Sequence, residues 1–246
     1  MLTVALTLLG GCSAPHTPKK TVVTVFAAAS LSEAFRAIEG VYEGQHPEIE
    51  IELNFAGSAL LASQILEGAP ADVFAAAHPS QLQRLRSVAL AGPPRPLAVN
   101  SLIIAVPRHN PAKLKSASDL ARPEVKIALA GKQVPAGRYG REALAALGLL
   151  DLVEANIVSN EHSVRGVVAK LLLGEVDAGI VYSTDLNTND TLRALPTKLA
   201  VQAHYEVVLL RSSAHPQQAG EFVDFLLSGP GQSLLRHHGF SGADVL

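Results

Sequence analysis

The sequence predicts an α/β protein with two lobes. Runs of β-branched and aromatic residues alternate with runs whose apolar residues recur at helical spacing, a pattern typical of strands joined by helices into a parallel sheet. The 246 residues suffice for one large domain or two modest ones. The strongest break, residues 92–96 (GPPRP), precedes a long apolar run over residues 97–107. Because that run is long enough to pass from one domain into another, we expect it to join two lobes.

The composition is that of a folded protein without a strong overall charge. Hydrophobic residues make up 48% of the chain and charged residues 17%, which excludes a disordered chain. The net charge of -2 leaves no positive field to attract nucleic acid or an anionic membrane. A single cysteine excludes a disulfide framework and multi-cysteine metal sites. The absence of tryptophan argues against a stacking platform for bases or sugars.

Residues 1–20 are predicted to be a lipoprotein signal and tether. The first eleven residues are apolar or small, and they are too few for the roughly 20 that cross a bilayer as a helix. Residues 9–12 (LGGC) resemble the lipobox of bacterial lipoproteins, in which the cysteine carries a diacylglyceryl group. Residues 13–20 are polar and contain proline, as a tether would be. We therefore expect Cys12 to be lipidated; the alternative is a buried structural cysteine.

The first lobe is predicted to begin with three strand and helix pairs. The strands are 21–28, 49–55 and 73–76. The second helix spans 58–67, and Pro79 begins the third because proline is favoured in a first helical turn. The first helix is identified by apolar residues that share one face, namely Leu31, Ala34, Phe35, Ile38 and Val41.

A second set of units follows the long apolar run. Strands are predicted over 125–130 and 178–182, with helices over 137–147 and 164–173 that end at Gly148 and Gly174. Another strand is expected over 205–210, then a helix behind Pro216 that stops at 228–231, and a final short helix to His238. We expect residues 21–99 and 207–246 to form the first lobe and residues 100–206 the second.

The strand-to-helix junctions are the expected binding region, because ligands of open α/β sheets lie at the carboxyl ends of strands. Ser30 and Ser58 each follow a run of small residues, which lets the backbone approach a ligand, and both are predicted to stand at N-cap positions with the hydroxyl and nearby N–H groups free. Helix amino termini carry partial positive charge and unpaired N–H groups, so two of them that converge make an anion site without Lys or Arg. For either serine alone, an ordinary helix cap is the alternative.

Junctions in the second lobe offer similar groups. Residues 134–137 (VPAG) begin one helix, and Ser163 and Val164 begin another with Ser163 as its cap. Tyr182 ends a strand and brings a phenolic donor to the same sheet edge; a half-buried core tyrosine is the alternative. No dinucleotide, phosphate-loop or Gly-x-Ser-x-Gly motif occurs, so those functions lack their structural parts.

Several segments together resemble one family, the periplasmic molybdate-binding proteins that serve molybdate ABC importers. The matching runs, in order, are VTVFAAASL, NFAGSALLASQI, EGAPADVF, VPAGRYGREAL, HSVRGVV and GIVYSTD. The carboxy-terminal FLLSGPGQSLLRHHGF resembles the end of the wider solute-binding superfamily. The resemblance extends from about residue 21 to residue 240, and the first three runs are its most specific part.

The resemblance implies a type II binding-protein fold: mixed, mainly parallel sheets in two lobes, joined by two crossing strands, with the ligand cleft between them. It also implies the oxyanion contacts, which are the hydroxyl and backbone of Ser30 and Ser58, the N–H groups of Ala136 and Val164, and the Tyr182 hydroxyl. The ligand would be molybdate or tungstate, with molybdenum held only as the oxyanion, and there would be no cofactor and no catalytic residue. The implied protein is an extracytoplasmic monomer that meets the membrane through a lipid anchor and a transporter permease, without nucleic acid.

Three alternatives remain at this stage. One is a receptor for another tetrahedral oxyanion such as sulfate, since hydrogen-bond geometry is the same for all of them. Another is an extracytoplasmic hydrolase with Ser30 or Ser58 as nucleophile and a histidine as base. The last is a ligand-sensing domain of a transcription regulator, although no helix-turn-helix segment is recognised before Thr21.

Overall fold

The computed structural model describes residues 20–87, 89–187 and 189–242, and Cys12 lies outside them. Its strands are β1 (Thr21–Ala28), β2 (Ile49–Ala56), β3 (Val73–Ala76), β4 (Arg95–Pro107), β5 (Ile127–Ala130), β6 (Ile157–Glu161), β7 (Ala178–Tyr182), β8 (Leu192–Ala194), β9 (Gln202–Leu209) and β10 (Ser241–Gly242). Its helices are α1 (Ser32–Gln45), α2 (Ser58–Leu66), α3 (Pro79–Gln83), α4 (Pro135–Ala146), α5 (Leu150–Val153), α6 (Val164–Leu172), α7 (Pro216–Leu227) and α8 (Gly229–His237). Short 3-10 segments include Ala29–Leu31 and Ser183–Leu186.

The strands form one mixed sheet in the order β2-β1-β3-β9-β4-β7-β5-β6. The first half contains β1, β2, β3 and β9 with α1, α2, α3, α7 and α8; the second contains β5, β6, β7 and β8 with α4, α5 and α6. Strand β4 belongs to both halves, since it pairs with β9 over Arg95–Ser101 and with β7 over Leu102–Ala105. The long apolar run therefore carries the chain between halves, as predicted.

Parallel pairing is confined to the three outer strands on each side of the sheet. Strand β1 is parallel to β2 and β3, and β5 is parallel to β6 and β7. Every pair of named strands that includes β4 or β9 is antiparallel within the described residues. The mixed sheet confirms the predicted α/β class, but antiparallel pairs are more numerous than the prediction implied. The reason is that β4 and β9 run against their neighbours where the chain crosses between halves.

The helices pack through the apolar faces that their spacing predicts. On α1 the buried side chains include Ala34, Phe35, Ile38 and Tyr42, which lie three or four residues apart on one face. They join an apolar core that extends through both halves of the sheet. A smaller apolar cluster lies under α2 and α3 and includes Leu61, Phe74 and Leu82. The sheet and its helices therefore fix the strand ends on which the site is built.

Several predicted boundaries are confirmed and others are corrected. Strands β1, β3 and β7 have the predicted ends. Helix α7 ends at Leu227, directly before the predicted stop at 228–231. Residues 229–231 also form the first turn of α8, because Pro230 is compatible with a first turn and Ser228 caps the helix through Gly231 N. Strand β6 and helix α5 were not predicted. The residue bounds proposed for the two lobes stay a prediction.

No helix within residues 20–87, 89–187 or 189–242 is both long enough and apolar enough to cross a membrane.

Candidate functional site

A small cavity lies between the two halves at the predicted strand-to-helix junctions. Its volume is about 20 Å³, above the ~10–15 Å³ that one water molecule requires. No charged side chain lines it. Its lining contains all five residues that the resemblance assigned to oxyanion contacts, and the full set is Ala28, Ala29, Ser30, Gly57, Ser58, Ala77, Val134, Pro135, Ala136, Ser163, Val164 and Tyr182. The fold therefore brings the five residues together, while their role in binding stays a prediction.

Helix starts from both halves converge on this cavity. From the first half come the 3-10 segment Ala29–Leu31 and the start of α2; from the second half come the starts of α4 and α6. The first N–H groups of a helix have no acceptor within it, and the helix dipole adds partial positive charge at that end. The N–H groups of Ser58, Ala136 and Val164 are in this position. The arrangement gives an electropositive cavity without any fixed cation.

Ser30 does not cap a helix, which corrects the prediction. A 3-10 turn over Ala29–Leu31 precedes α1, so the N-cap residue of α1 is Leu31. The Ser30 hydroxyl instead shares a hydrogen bond of 2.9 Å with the hydroxyl of Tyr205, a fully buried residue on β9. Tyr205 therefore fixes the orientation of Ser30 beside the cavity.

Ser58 is also not a cap, because the N-cap position of α2 belongs to Gly57. The Ser58 hydroxyl oxygen accepts a hydrogen bond of 3.1 Å from the N–H of Ala77, which follows β3. A hydroxyl has one donor and two acceptor positions, so this bond leaves the Ser58 proton available. Ser58 can therefore donate to a ligand oxygen through both its hydroxyl and its N–H group.

Glycine at position 57 allows the two halves to approach closely. A Cβ atom added at Gly57 would lie 2.3 Å from the carbonyl oxygen of His162, in the loop before α6. That separation is far below van der Waals contact, and the atom it meets is backbone, so a larger residue would force the halves apart. The small-residue run was predicted to let the backbone approach a ligand; at Gly57 the close approach is to the backbone of the other half.

In the second half, Ala136 and Val164 occupy the first turns of α4 and α6. Gly137 lets α4 begin tightly over the end of β5, since a Cβ there would lie 2.1 Å from the carbonyl oxygen of Ala130. Ser163 is at the N-cap position of α6, as predicted, but its side chain makes no capping hydrogen bond. The N–H groups at both helix starts are held by rigid packing.

Tyr182 ends β7 and is 1% exposed. It is therefore fully buried, where the alternative interpretation expected a half-buried side chain. Its hydroxyl is buried and has no hydrogen-bond partner among the described residues. Burial, and secondarily Tyr205, raises the pKa of Tyr182 well above 10, so the hydroxyl keeps its proton. The Tyr205 hydroxyl makes its hydrogen bond with Ser30 at 2.9 Å and has only a weaker interaction with the Tyr182 hydroxyl. Buried polar groups without a partner are rare in folded proteins, so this protonated hydroxyl remains available as a donor at the cavity.

Asp185 lies behind this donor and outside the cavity lining. Its carboxylate accepts a hydrogen bond of 2.9 Å from the N–H of Tyr182. Burial raises the pKa of Asp185 to about 6, although that hydrogen bond and the nearby charge of Arg165 both lower the pKa. The carboxylate positions the end of β7 without offering an acceptor to the ligand.

Contacts between the halves surround the cavity. The His78 ring lies against the Tyr139 ring with centroids 4.7 Å apart, and Gln81 Nε2 donates to the carbonyl oxygen of Gln133 at 3.3 Å. Arg165 on α6 forms an ion pair with Glu33 on α1. Together with the contact at Gly57, these interactions describe a closed cleft.

The geometry offers little to the alternative functions. Ser30 and Ser58 have Tyr205 and the Ala77 N–H as their hydrogen-bond partners, so within the described residues neither serine is bonded to a histidine. Across the described ranges, no three His, Cys, Asp or Glu side chains are grouped as metal ligands would be. The lining is suited to hold an anion by hydrogen bonds.

Sequence reasoning missed the contributions of Tyr205 and Ala77. Tyr205 was assigned only to a strand, and its partner Ser30 is 175 positions away. The signal that could have drawn attention to it is its place on the apolar face of β9, between Ala203 and Val207, since a buried tyrosine hydroxyl requires a partner.

The model of the bacterial extracellular solute-binding protein family matches residues 23–241. The chain is 34% identical to the molybdate-binding protein ModA of Mycobacterium bovis, across 89% of this chain and 84% of that relative. It is 33% identical to YvgL of Bacillus subtilis, named as a candidate ABC transporter substrate-binding lipoprotein, across 96% and 94%.

Solved structures share the fold. The periplasmic molybdate-binding protein of Azotobacter vinelandii aligns with a TM-score of 0.76 at 22% identity, across 89% of this chain and 98% of the other. The sulfate-binding protein SubI of Mycobacterium tuberculosis aligns with a TM-score of 0.79 at 17% identity, across 91% and 88%. At such identities the alignments establish the two-lobe type II fold and leave the ligand open. With the family match over most of its length, the chain belongs to the bacterial extracellular solute-binding proteins.

Proposed function

We propose that this protein is a receptor that binds molybdate, and tungstate by the same chemistry, and delivers the anion to the permease of an ABC importer. The observation that carries the proposal is the Tyr182 hydroxyl, a buried donor without a partner that faces an uncharged cavity at four helix starts. A fully deprotonated oxyanion accepts hydrogen bonds at every oxygen. The cavity supplies donors from Ser30, Ser58, Ala136, Val164 and Tyr182, which matches that requirement.

Neutral donors suit a protein that must release its ligand. Hydrogen bonds to a charged acceptor are roughly twice as strong as neutral ones, so a dianion is held firmly without a counter-ion. When the halves separate, no fixed cation is left behind without its partner. The proposed role involves binding and release and no catalytic residue.

The preference for molybdate over sulfate is proposed from the relatives. ModA of Mycobacterium bovis, at 34% identity, is named a molybdate-binding protein. The structures of a molybdate-binding and a sulfate-binding protein fit this chain about equally well, so the fold does not choose between the two anions. Because both are tetrahedral dianions, discrimination would depend on the separation of the donors across the closed cleft.

Calorimetric titration of the purified protein with molybdate, tungstate, sulfate and phosphate tests the ligand. We expect tight binding of molybdate and tungstate and much weaker binding of the other two. Equal or tighter binding of sulfate would identify the alternative oxyanion receptor. Binding of none of the four would refute the proposed function.

Attachment to the membrane through Cys12 is a second part of the proposal. It is supported by the LGGC run and by YvgL, the relative named as a candidate lipoprotein. In bacterial cells we expect the wild type to partition with membranes and Cys12→Ala to appear in the soluble extracytoplasmic fraction. Identical partitioning of the two proteins would contradict lipidation at Cys12. Without its lipid anchor, the protein is expected to be a monomer, and the molecular mass from small-angle X-ray scattering tests this.

A further inference from the structure

We propose that Arg165 is a latch that holds the cleft closed and sets how long the anion stays bound; this inference rests on the proposed function. Arg165 is the second residue of α6, directly after Val164. Its guanidinium Nη2 crosses the cleft to Glu33 Oε1 at 3.0 Å and also donates to the Ser32 hydroxyl. We call Arg165, Ser32 and Glu33 the cross-cleft latch.

The latch joins the two segments that supply anion donors from opposite halves. Ser32 and Glu33 begin α1, immediately after the 3-10 turn that contains Ser30. Arg165 adjoins Val164 at the start of α6. When the cleft opens, the Ser30 and Val164 segments separate and the latch must break with them. Its bonds therefore belong to the closed state, and their loss should accelerate release of the ligand.

Solvent exposure sets the expected size of the effect. The side chains of Arg165 and Glu33 are 51% and 53% exposed, so their ion pair is partly screened by water and by salt. Ser32 is 1% exposed, which protects the hydrogen bond from Arg165 better than the ion pair. An exposed pair of this kind corresponds to about a two- to five-fold change in an equilibrium or a rate.

A competing explanation gives Arg165 no latch role and treats it only as a positive charge near the anion. The two explanations predict opposite results for Glu33→Gln. If only the field of Arg165 matters, removal of the Glu33 charge makes the surroundings more positive and binding tighter. If the latch matters, the same substitution breaks the ion pair and binding becomes weaker, with faster release.

The experiment uses Glu33→Gln, Arg165→Gln and the double variant. The matched control is Arg95→Gln, which removes an ion pair between Arg95 and Asp224 that does not cross the cleft. The Arg95 side chain is about as exposed as that of Arg165. Release of molybdate is measured by stopped flow with excess chelating competitor, at low and high salt. We expect both single variants to release the anion about two to five times faster. The double variant should be no faster than Arg165→Gln, the control should match the wild type, and salt should accelerate only proteins that retain the ion pair.

Slower or unchanged release in Glu33→Gln would overturn the latch. Small-angle X-ray scattering without ligand keeps the inference testable if the ligand assignment fails. There we expect Glu33→Gln and Arg165→Gln to have a larger radius of gyration than the wild type and Arg95→Gln. Equal radii of gyration, in a protein that binds no oxyanion, would overturn both proposals. Larger radii in such a protein would retain the latch and reject only the ligand.

Discussion

Tyr182→Phe is the substitution that tests the site most directly. It deletes one oxygen and leaves the ring, which packs beside Tyr205 with centroids 5.9 Å apart. The deleted hydroxyl is buried and has no hydrogen-bond partner in the closed cleft. The change therefore removes a donor to the ligand without breaking any hydrogen bond of the hydroxyl within the protein.

The expected effects on stability and on binding have opposite signs. A buried hydroxyl without a partner costs about 1–3 kcal/mol, so its removal should leave the melting temperature without ligand unchanged or raised. A hydrogen bond to a charged acceptor contributes about 1.5–3 kcal/mol, so its loss should weaken molybdate binding by roughly one to two orders of magnitude. A general loss of folding would lower both quantities together.

Tyr42→Phe is the matched control for this prediction. The Tyr42 hydroxyl is also buried without a partner, but its ring packs against His46, Phe222 and Phe225, away from the cavity lining. Calorimetric titration and thermal melting of both variants decide the matter. We expect similar melting behaviour in the two variants and weaker binding only in Tyr182→Phe. Unchanged molybdate affinity in Tyr182→Phe would refute the assignment of the cavity.

Three further predictions follow from neighbouring contacts. Gly57→Ala should weaken molybdate binding about tenfold or more in titration, because its Cβ would meet a carbonyl oxygen at 2.3 Å across the cleft. The control Gly44→Ala, whose Cβ would have nothing within 4 Å, should bind molybdate like the wild type. Equal affinities of the two variants would contradict the closure argument. Ser58→Ala should lower both affinity and melting temperature, because it also deprives the Ala77 N–H of its acceptor; a lowered melting temperature with full affinity would exclude Ser58 as a donor. The pKa of Asp185 is raised from 3.8 to about 6, so the stability linked to its protonation is present below pH 4 and is lost as pH rises through 6. Between pH 4 and pH 8, the free energy of unfolding of Asp185→Asn should therefore rise by about 2 kcal/mol relative to the wild type. Denaturant unfolding measures this difference, and a difference that does not change with pH would contradict the prediction.

The fold could be predicted well where the local pattern decides the structure. Strands β1, β3 and β7 are short apolar runs bounded by turn or cap residues, so their ends are visible in the sequence. Strand β6 was missed because it lies at the sheet edge and alternates between half-buried and exposed positions, with Ser159, Asn160 and Glu161 giving it a polar character. Its pairing with β5 depends on tertiary contacts that periodicity does not reveal.

The site was predicted in its positions and only partly in its bonding. Pro135 and Ser163 mark helix starts by local rules, so the N–H groups at Ala136 and Val164 could be inferred without a structure. Ser30 and Ser58 were placed beside the right helices but given the wrong partners. Local propensity favours a serine as a cap, whereas their actual partners, Tyr205 and the Ala77 N–H, arrive from strands elsewhere in the sheet. Side-chain bonding between distant segments follows from the whole fold.

The division of donors between the halves makes closure and binding a single equilibrium. The first half supplies the two serines and the second supplies Ala136, Val164 and Tyr182, so an open molecule offers an anion only part of the set. A ligand shifts a conformational equilibrium only by its difference in affinity for the two states. Tyr182→Phe reduces that difference but leaves the contact surfaces intact, so scattering should still detect closure at saturating molybdate. Gly57→Ala leaves every donor intact but obstructs the contact with His162, so it should remain more open even at saturation. If both variants closed fully, the contact at Gly57 would not limit closure, and the affinity of the receptor would depend on its donors alone.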